Sequence, residues 1–185
     1  AMPHEDDSRN AILDAAERVL SQHGLANTTF DAVAHEAGMS KGGVLHYFRS
    51  KRDMLSTILH RFGRRFDERR REIVAALPDT PDRFARATFA AEAESGRRAT
   101  ASAPYRLDML EDEHYRTIIG DVRKRMYADL LKGSRRPAKV LVALYMMDRL
   151  WMHQFFAPQA IPAGVLAHAR QWLDGSIEKL YEDYF

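Results

Sequence analysis

The stretch Thr28-Thr-Phe-Asp-Ala-Val-Ala-His-Glu-Ala-Gly38-Met-Ser-Lys-Gly-Gly-Val-Leu-His-Tyr-Phe-Arg-Ser-Lys51 decides how the chain is read. Its apolar spacing predicts two short helices joined by a tight turn, the second basic and glycine-bearing. Thr28 is expected to cap the first, with Asp31 three residues on approximating a capping box. Gly38 supplies the turn and Ser40 caps the next helix. Phe30, Val33, Ala34 and Ala37 can face inward together, met by Val44, Leu45 and Phe48. This leaves Lys41, Gly42, Gly43, His46 and Tyr47 on the outer side. A helix whose first turn carries glycines can lie very close to a DNA groove floor, and Thr28, Ser40 and Tyr47 can donate to phosphate oxygens.

Working outward, helical periodicity dominates and no segment sustains a period of two. Ile12, Leu13, Ala16, Val19 and Leu20 form the stripe of a first helix that Gly24 ends, with Leu25 placed for the hydrophobic contact of a Schellman stop. A long helix runs from Lys51 to about Leu77, where Pro78 halts it. Thr80-Pro81 restarts the chain, and the next helix runs to about Ser95. Residues 96–104 are small and polar and read as a loop. Shorter helices are expected around 105–111 and 113–131. Pro137 opens an apolar helix that Pro158 closes, and Ile161-Pro162 opens the last one. The expectation is an all-α chain of about nine helices, with a helix-turn-helix DNA-binding domain over 1–50 and a larger helical body over 51–185, to which the resemblance described below assigns effector binding and dimerisation.

The 185 residues contain no cysteine, which excludes disulfides, thiolate metal sites and cysteine nucleophiles. No apolar run approaches the ~20 residues of a membrane span, so no membrane partner is expected. No signal peptide is read at the start, where Ala1-Met2 looks like a short addition ahead of a natural start, and a cytoplasmic location is expected. Net charge is only +2, but cations cluster between Lys41 and Arg71, the footprint a polyanion would use. The arginines from Arg61 to Arg71 read better as a solvated face, since only the start of that helix should lie near DNA. A metal site from Asp112, Glu113, His114 and His153 is conceivable, yet the spacing matches no HExxH motif. No GxSxG, P-loop or GxGxxG occurs either, so catalytic and metal residues are expected to be absent.

Residues 9–60 resemble the N-terminal domain of the tetracycline-repressor (TetR/AcrR) family. Ile12, Ala15, Ala16, Phe30, Ala34, Ala37, Gly38, Ser40, Lys41, Gly42, Tyr47, Phe48, Ser50, Lys51 and Leu55 carry the resemblance. It implies a homodimeric repressor whose third helix reads a palindromic double-stranded operator. Phosphates would be held from Thr28 or Thr29, Tyr47 and Lys51, while Lys41, Gly42, Gly43 and His46 face bases or phosphates. The family often has tyrosine where this chain has Leu45, which is expected to turn to the core. The resemblance further implies that the last two helices pair with their copies, with Leu144, Met152, Trp172, Leu173 and Ile177 as candidates for the seam. It also implies a cavity for a small-molecule effector, with no other cofactor. Phe89, Tyr105, Met109, Tyr127, Met147, Trp151 and Phe155 are candidates to line it, with His114 and Asp148 as polar interruptions of apolar segments. A DNA-binding dimer without small-molecule input, constitutive or controlled by a protein partner, is the alternative.

Overall fold

The computed structural model describes residues 5–80, 83–98, 109–131, 134–156 and 161–182, and every long element among them is a helix. In chain order these are α1 (Glu5–Asn27), α2 (Phe30–Ala37), α3 (Lys41–Tyr47), α4 (Lys51–Ala76), α5 (Arg83–Arg98), α6 (Glu113–Leu131), α7 (Pro137–Phe156) and α8 (Ala163–Glu182). Eight helices among the described residues are close to the expected nine. The helix expected around 105–111 falls largely outside the described residues. Helix α5 continues through Gly96 to Arg98, past the point where the small residues suggested a loop.

The chain forms two compact units. The first takes residues 1–65 and 98–123, and the second takes 66–97 and 124–185. In the first, the stripe of α1 (Ile12, Leu13, Ala16, Val19, Leu20) is buried against Val33 of α2, Val44 of α3, Phe48, and Met54, Leu55 and Ile58 of α4. Met109, Tyr115 and Ile118 close the same core. Gly63 of α4 is needed there: a Cβ on it would stand 3.0 Å from Val122 Cγ2 of α6. Salt bridges tie α4 to α1, where Arg61 meets Asp14 and Glu17, and Arg65 meets Glu17 at 3.0 Å.

The second unit is built on Phe66, Phe89, Met126, Leu130, Val140, Leu144 and Leu173. Arg70 of α4 is buried there and donates to Asp129 at 2.6 Å and to Asp67 at 3.2 Å. A buried guanidinium is tolerated only with such compensation. Arg69 pairs with Glu94 of α5 at 2.7 Å and with Glu72 at 2.8 Å. The basic run from Arg61 to Arg70 is therefore largely spent on internal ion pairs. Arg64, Arg65, Arg69 and Arg71 are exposed, in line with the solvated face read from the sequence, while Arg61 and Arg70 turn inward.

Candidate nucleic-acid interface

Gly24 leaves the helical region at φ 77°, so the helical path of α1 breaks there as its sequence position suggested. The Thr28 hydroxyl donates back to the Gly24 carbonyl at 2.8 Å, and Thr28 is fully buried. The cap of α2 is instead Thr29, whose hydroxyl accepts from the Ala32 N–H at 3.2 Å. Thr28 thus locks the corner from inside, while Thr29 stays exposed. Gly38 ends α2 at φ 64°, a left-handed conformation that costs glycine no Cβ clash. Met39 N–H closes the turn on the Ala34 carbonyl at 2.9 Å. Ser40 then caps α3, accepting from Gly43 N–H at 3.0 Å.

This corner sets the phase of α3. Val44 and Phe48 are fully buried, and Tyr47 packs its ring against the same core. The opposite side presents Lys41, Gly42, Leu45 and His46. Leu45 is 41% exposed, which corrects the expectation that it turns inward. With seven residues in the helix, 44 and 48 already fill the inward direction, and 45 lies about 100° further round. Gly42 faces open space: the nearest atom to a Cβ built on it is Ser40 Oγ at 3.9 Å. Gly43 is tighter, with the same oxygen at 3.4 Å. Lys41 Nζ reaches back to Asp31 of α2 at 2.7 Å, with both side chains exposed. His46 meets Tyr47 edge-on at 5.2 Å between ring centroids.

Lys51 opens α4, yet its ammonium turns toward the end of α1. It donates to the Leu25 carbonyl and more distantly to the Ala26 carbonyl at 3.5 Å. Partial burial lowers its pKa from the ordinary lysine value. Helix-end carbonyls without helical partners attract a cation. Nearby, Arg52 pairs with Asp112 at 2.8 Å, and Asp112 also accepts the His114 N–H, holding its carboxyl below the usual range.

Residues 12–58, from α1 into α4, match the family described as bacterial regulatory proteins, tetR family. The HTH-type transcriptional regulator BetI of Paraburkholderia xenovorans (strain LB400) is 29% identical over 157 residues, covering 78% of this chain and 80% of that protein. Over α1 to the first turns of α4 the chain is similar to this family. BetI of Agrobacterium fabrum is 41% identical over 69 residues, 37% of this chain; there the chain spans only about a third of the relative, 32% of its length. A TetR transcription regulator from Haloarcula marismortui shares the fold at a TM-score of 0.72 and 18% identity, with 92% of this chain and 96% of that one covered. The N-terminal third of the chain is thus similar to that of proteins named HTH-type transcriptional regulators. No described helix is long and apolar enough to cross a membrane.

In the second unit, Phe89 is buried, with Tyr127 and Met147 packed against the same cluster. Asp148 is half-buried on α7. Met109 instead belongs to the core of the first unit, fully buried, so core packing accounts for it. His114 is exposed in the first unit, its Nε2 2.8 Å from Ser56 Oγ. Tyr105 and the side chains of Trp151, Met152, His153, Phe155 and Ile177 lie outside the described residues. A hollow of about 470 Å³ in the second unit is lined by Arg70, Arg71, Val74, Leu77, Arg83, Phe84 and Asp129, among others. Among the described residues, none of the sequence candidates for the effector site lines it. Its residues come from the ends of three helices distant in sequence, and nothing local marks them.

For the seam between copies, Leu144 and Leu173 prove to be core residues of the second unit, buried to 0% and 3% exposure. Both are turned inward by contact with their own unit, which corrects their assignment to the seam. Trp172 is 63% exposed. Sequence reading missed its neighbours in character: Val142, Tyr145 and Met146 on α7 and Val165 on α8 are exposed apolar residues. Among the described residues no three His, Asp or Glu side chains are grouped to hold a metal ion.

Proposed function

We propose that this regulator is a homodimeric repressor that reads a palindromic operator with α3 and releases it when a small molecule binds the second unit. The observation that carries the reading is the outward face of α3. Gly42 leaves its first turn bare, and Lys41, Leu45 and His46 project beside it while Val44 and Phe48 anchor the helix. Ser40, Tyr47 and the exposed Thr29 are placed in sequence around that face as phosphate partners, and Lys51 adds charge at the start of α4. One such helix reads too few base pairs for useful discrimination. Two copies with half-sites about 34–36 Å apart, or a multiple of that, supply the rest.

The exposed large apolar residues of α7 and α8 support pairing with a second copy, which would take them out of water. The hollow and the Phe89–Tyr127–Met147 cluster support an effector in the second unit. Helix α4 begins in the first unit and ends in the second, as α6 also does, and α4 is the one that follows the reading helix directly in the chain. Operator DNA must then weaken effector binding by the factor by which effector weakens DNA binding. The proposed location is the cytoplasm, where operator DNA is reached.

Selection from a random duplex library, followed by footprinting, tests the reading. Gly42→Glu puts a carboxylate into open space on the outward face, so it is expected to abolish the footprint while the sedimentation of the dimer is unchanged. A normal footprint from that variant assigns DNA reading to some other element. A monomer in sedimentation refutes the proposed assembly.

A further inference from the structure

We infer that Leu45 is a specificity-determining residue that packs on the C5-methyl group of a thymine in each half-site; this rests on the DNA-reading function proposed for α3. The leucine is 41% exposed on a helix whose Val44 is fully buried and whose Tyr47 packs on the core, with Phe48 fully buried just past its end. It stands three residues after Gly42 and one before His46, and so shares the outward face with both. Gly42 contributes no side chain to that face, and open space surrounds its Cα. Leu45 is therefore the apolar group that stands highest above a bare helix turn.

The surroundings exclude an ordinary protein-docking patch. Lys41, His46 and Arg49 are exposed around it, and a lone leucine among cationic and polar groups offers too little apolar area for a protein partner. Against DNA the same setting is favourable, since the cations meet phosphates and the leucine meets base edges. Leucine can neither donate nor accept a hydrogen bond. Among the four base-pair edges in the major groove, the thymine methyl is the feature that rewards an apolar contact, whereas the polar edges lose their water to it.

The test uses the full chain and the operator obtained by selection. Each thymine is replaced in turn, in both half-sites together, by deoxyuridine, which keeps its pairing and lacks only the methyl. Affinities are measured by fluorescence anisotropy at fixed salt for the wild type and for Leu45→Ala. Taking one methyl out of water accounts for about fourfold per half-site, or about fifteenfold for the pair. One thymine position is expected to show that loss in the wild type and little or none in Leu45→Ala. The exposed position and alanine's helix propensity keep the variant folded, which a melting curve checks. An operator bound tightly in which every deoxyuridine costs both proteins equally overturns the role of Leu45 and leaves α3 as the reading helix. Failure to select any duplex overturns the DNA-reading function itself.

Discussion

Replacing Lys51 by methionine keeps the length and apolar stem of the side chain and deletes the ammonium. The structure assigns that ammonium two acceptors at the end of α1, the carbonyls of Leu25 and Ala26. A hydrogen bond from a charged donor contributes about 1.5–3 kcal/mol when sheltered. Here the side chain is only half-buried and the Ala26 contact is at the limit of bonding distance, so water replaces part of what is lost. Roughly 1–2 kcal/mol is the expected loss after that discount. For a chain of this size the melting temperature should fall by about 3–6 °C, read by circular dichroism without DNA. The same variant should lower the slope of log affinity against log salt by about 0.9 if the charge at the start of α4 also faces a phosphate. The two readouts separate anchoring from DNA contact. A Lys51→Met protein that melts with the wild type shows that the ammonium does not hold the end of α1.

Gly38→Ala places a Cβ in open space but at φ 64°, so it should destabilise by about 1–2 kcal/mol through backbone strain alone, as measured by urea unfolding. Gly63→Ala gains about 1 kcal/mol of helix propensity and loses about 1–3 kcal/mol to overpacking on Val122, so a small net destabilisation is expected. In a Val122→Ala background the same change should turn stabilising, and an unchanged sign refutes the close approach. Asp112 is held low by the His114 N–H and the Arg52 charge, so between its folded value and about 3.9 the unfolded chain binds more protons. Its contribution is present above that window and lost as pH falls through it. Asp112→Asn should flatten the acid limb of the stability profile.

What was legible in the sequence was local. The α2–turn–α3 corner rests on residues within about twenty positions, and Gly38 and Ser40 each act through neighbours in the chain. Thr28 and Thr29 divided the capping and locking roles differently, because two adjacent threonines look alike until backbone angles decide which faces inward. Leu45 was misplaced for a related reason: in a seven-residue helix a stripe two residues wide already fills the inward face. In α7 and α8 apolar residues occupy several sides, so periodicity sets no phase. Only packing shows that Leu144 and Leu173 go inside while Val142, Tyr145 and Trp172 stay out. Asp14, which pairs with Arg61, and Asp129, which pairs with Arg70, lie 47 and 59 residues away, beyond any local signal.

Those distant partners have a consequence for how such a molecule would search a chromosome. Counted along the chain, the stretch after α3 looks like a strong lure for any duplex, but Asp14, Glu17, Glu94 and Asp129 cancel much of it at short range. Background adhesion to unrelated DNA scales with the cations left to displace counterions. A fold that silences its own basic helix keeps that background low, so the small set of groups on one short helix can weigh more in choosing where the molecule settles.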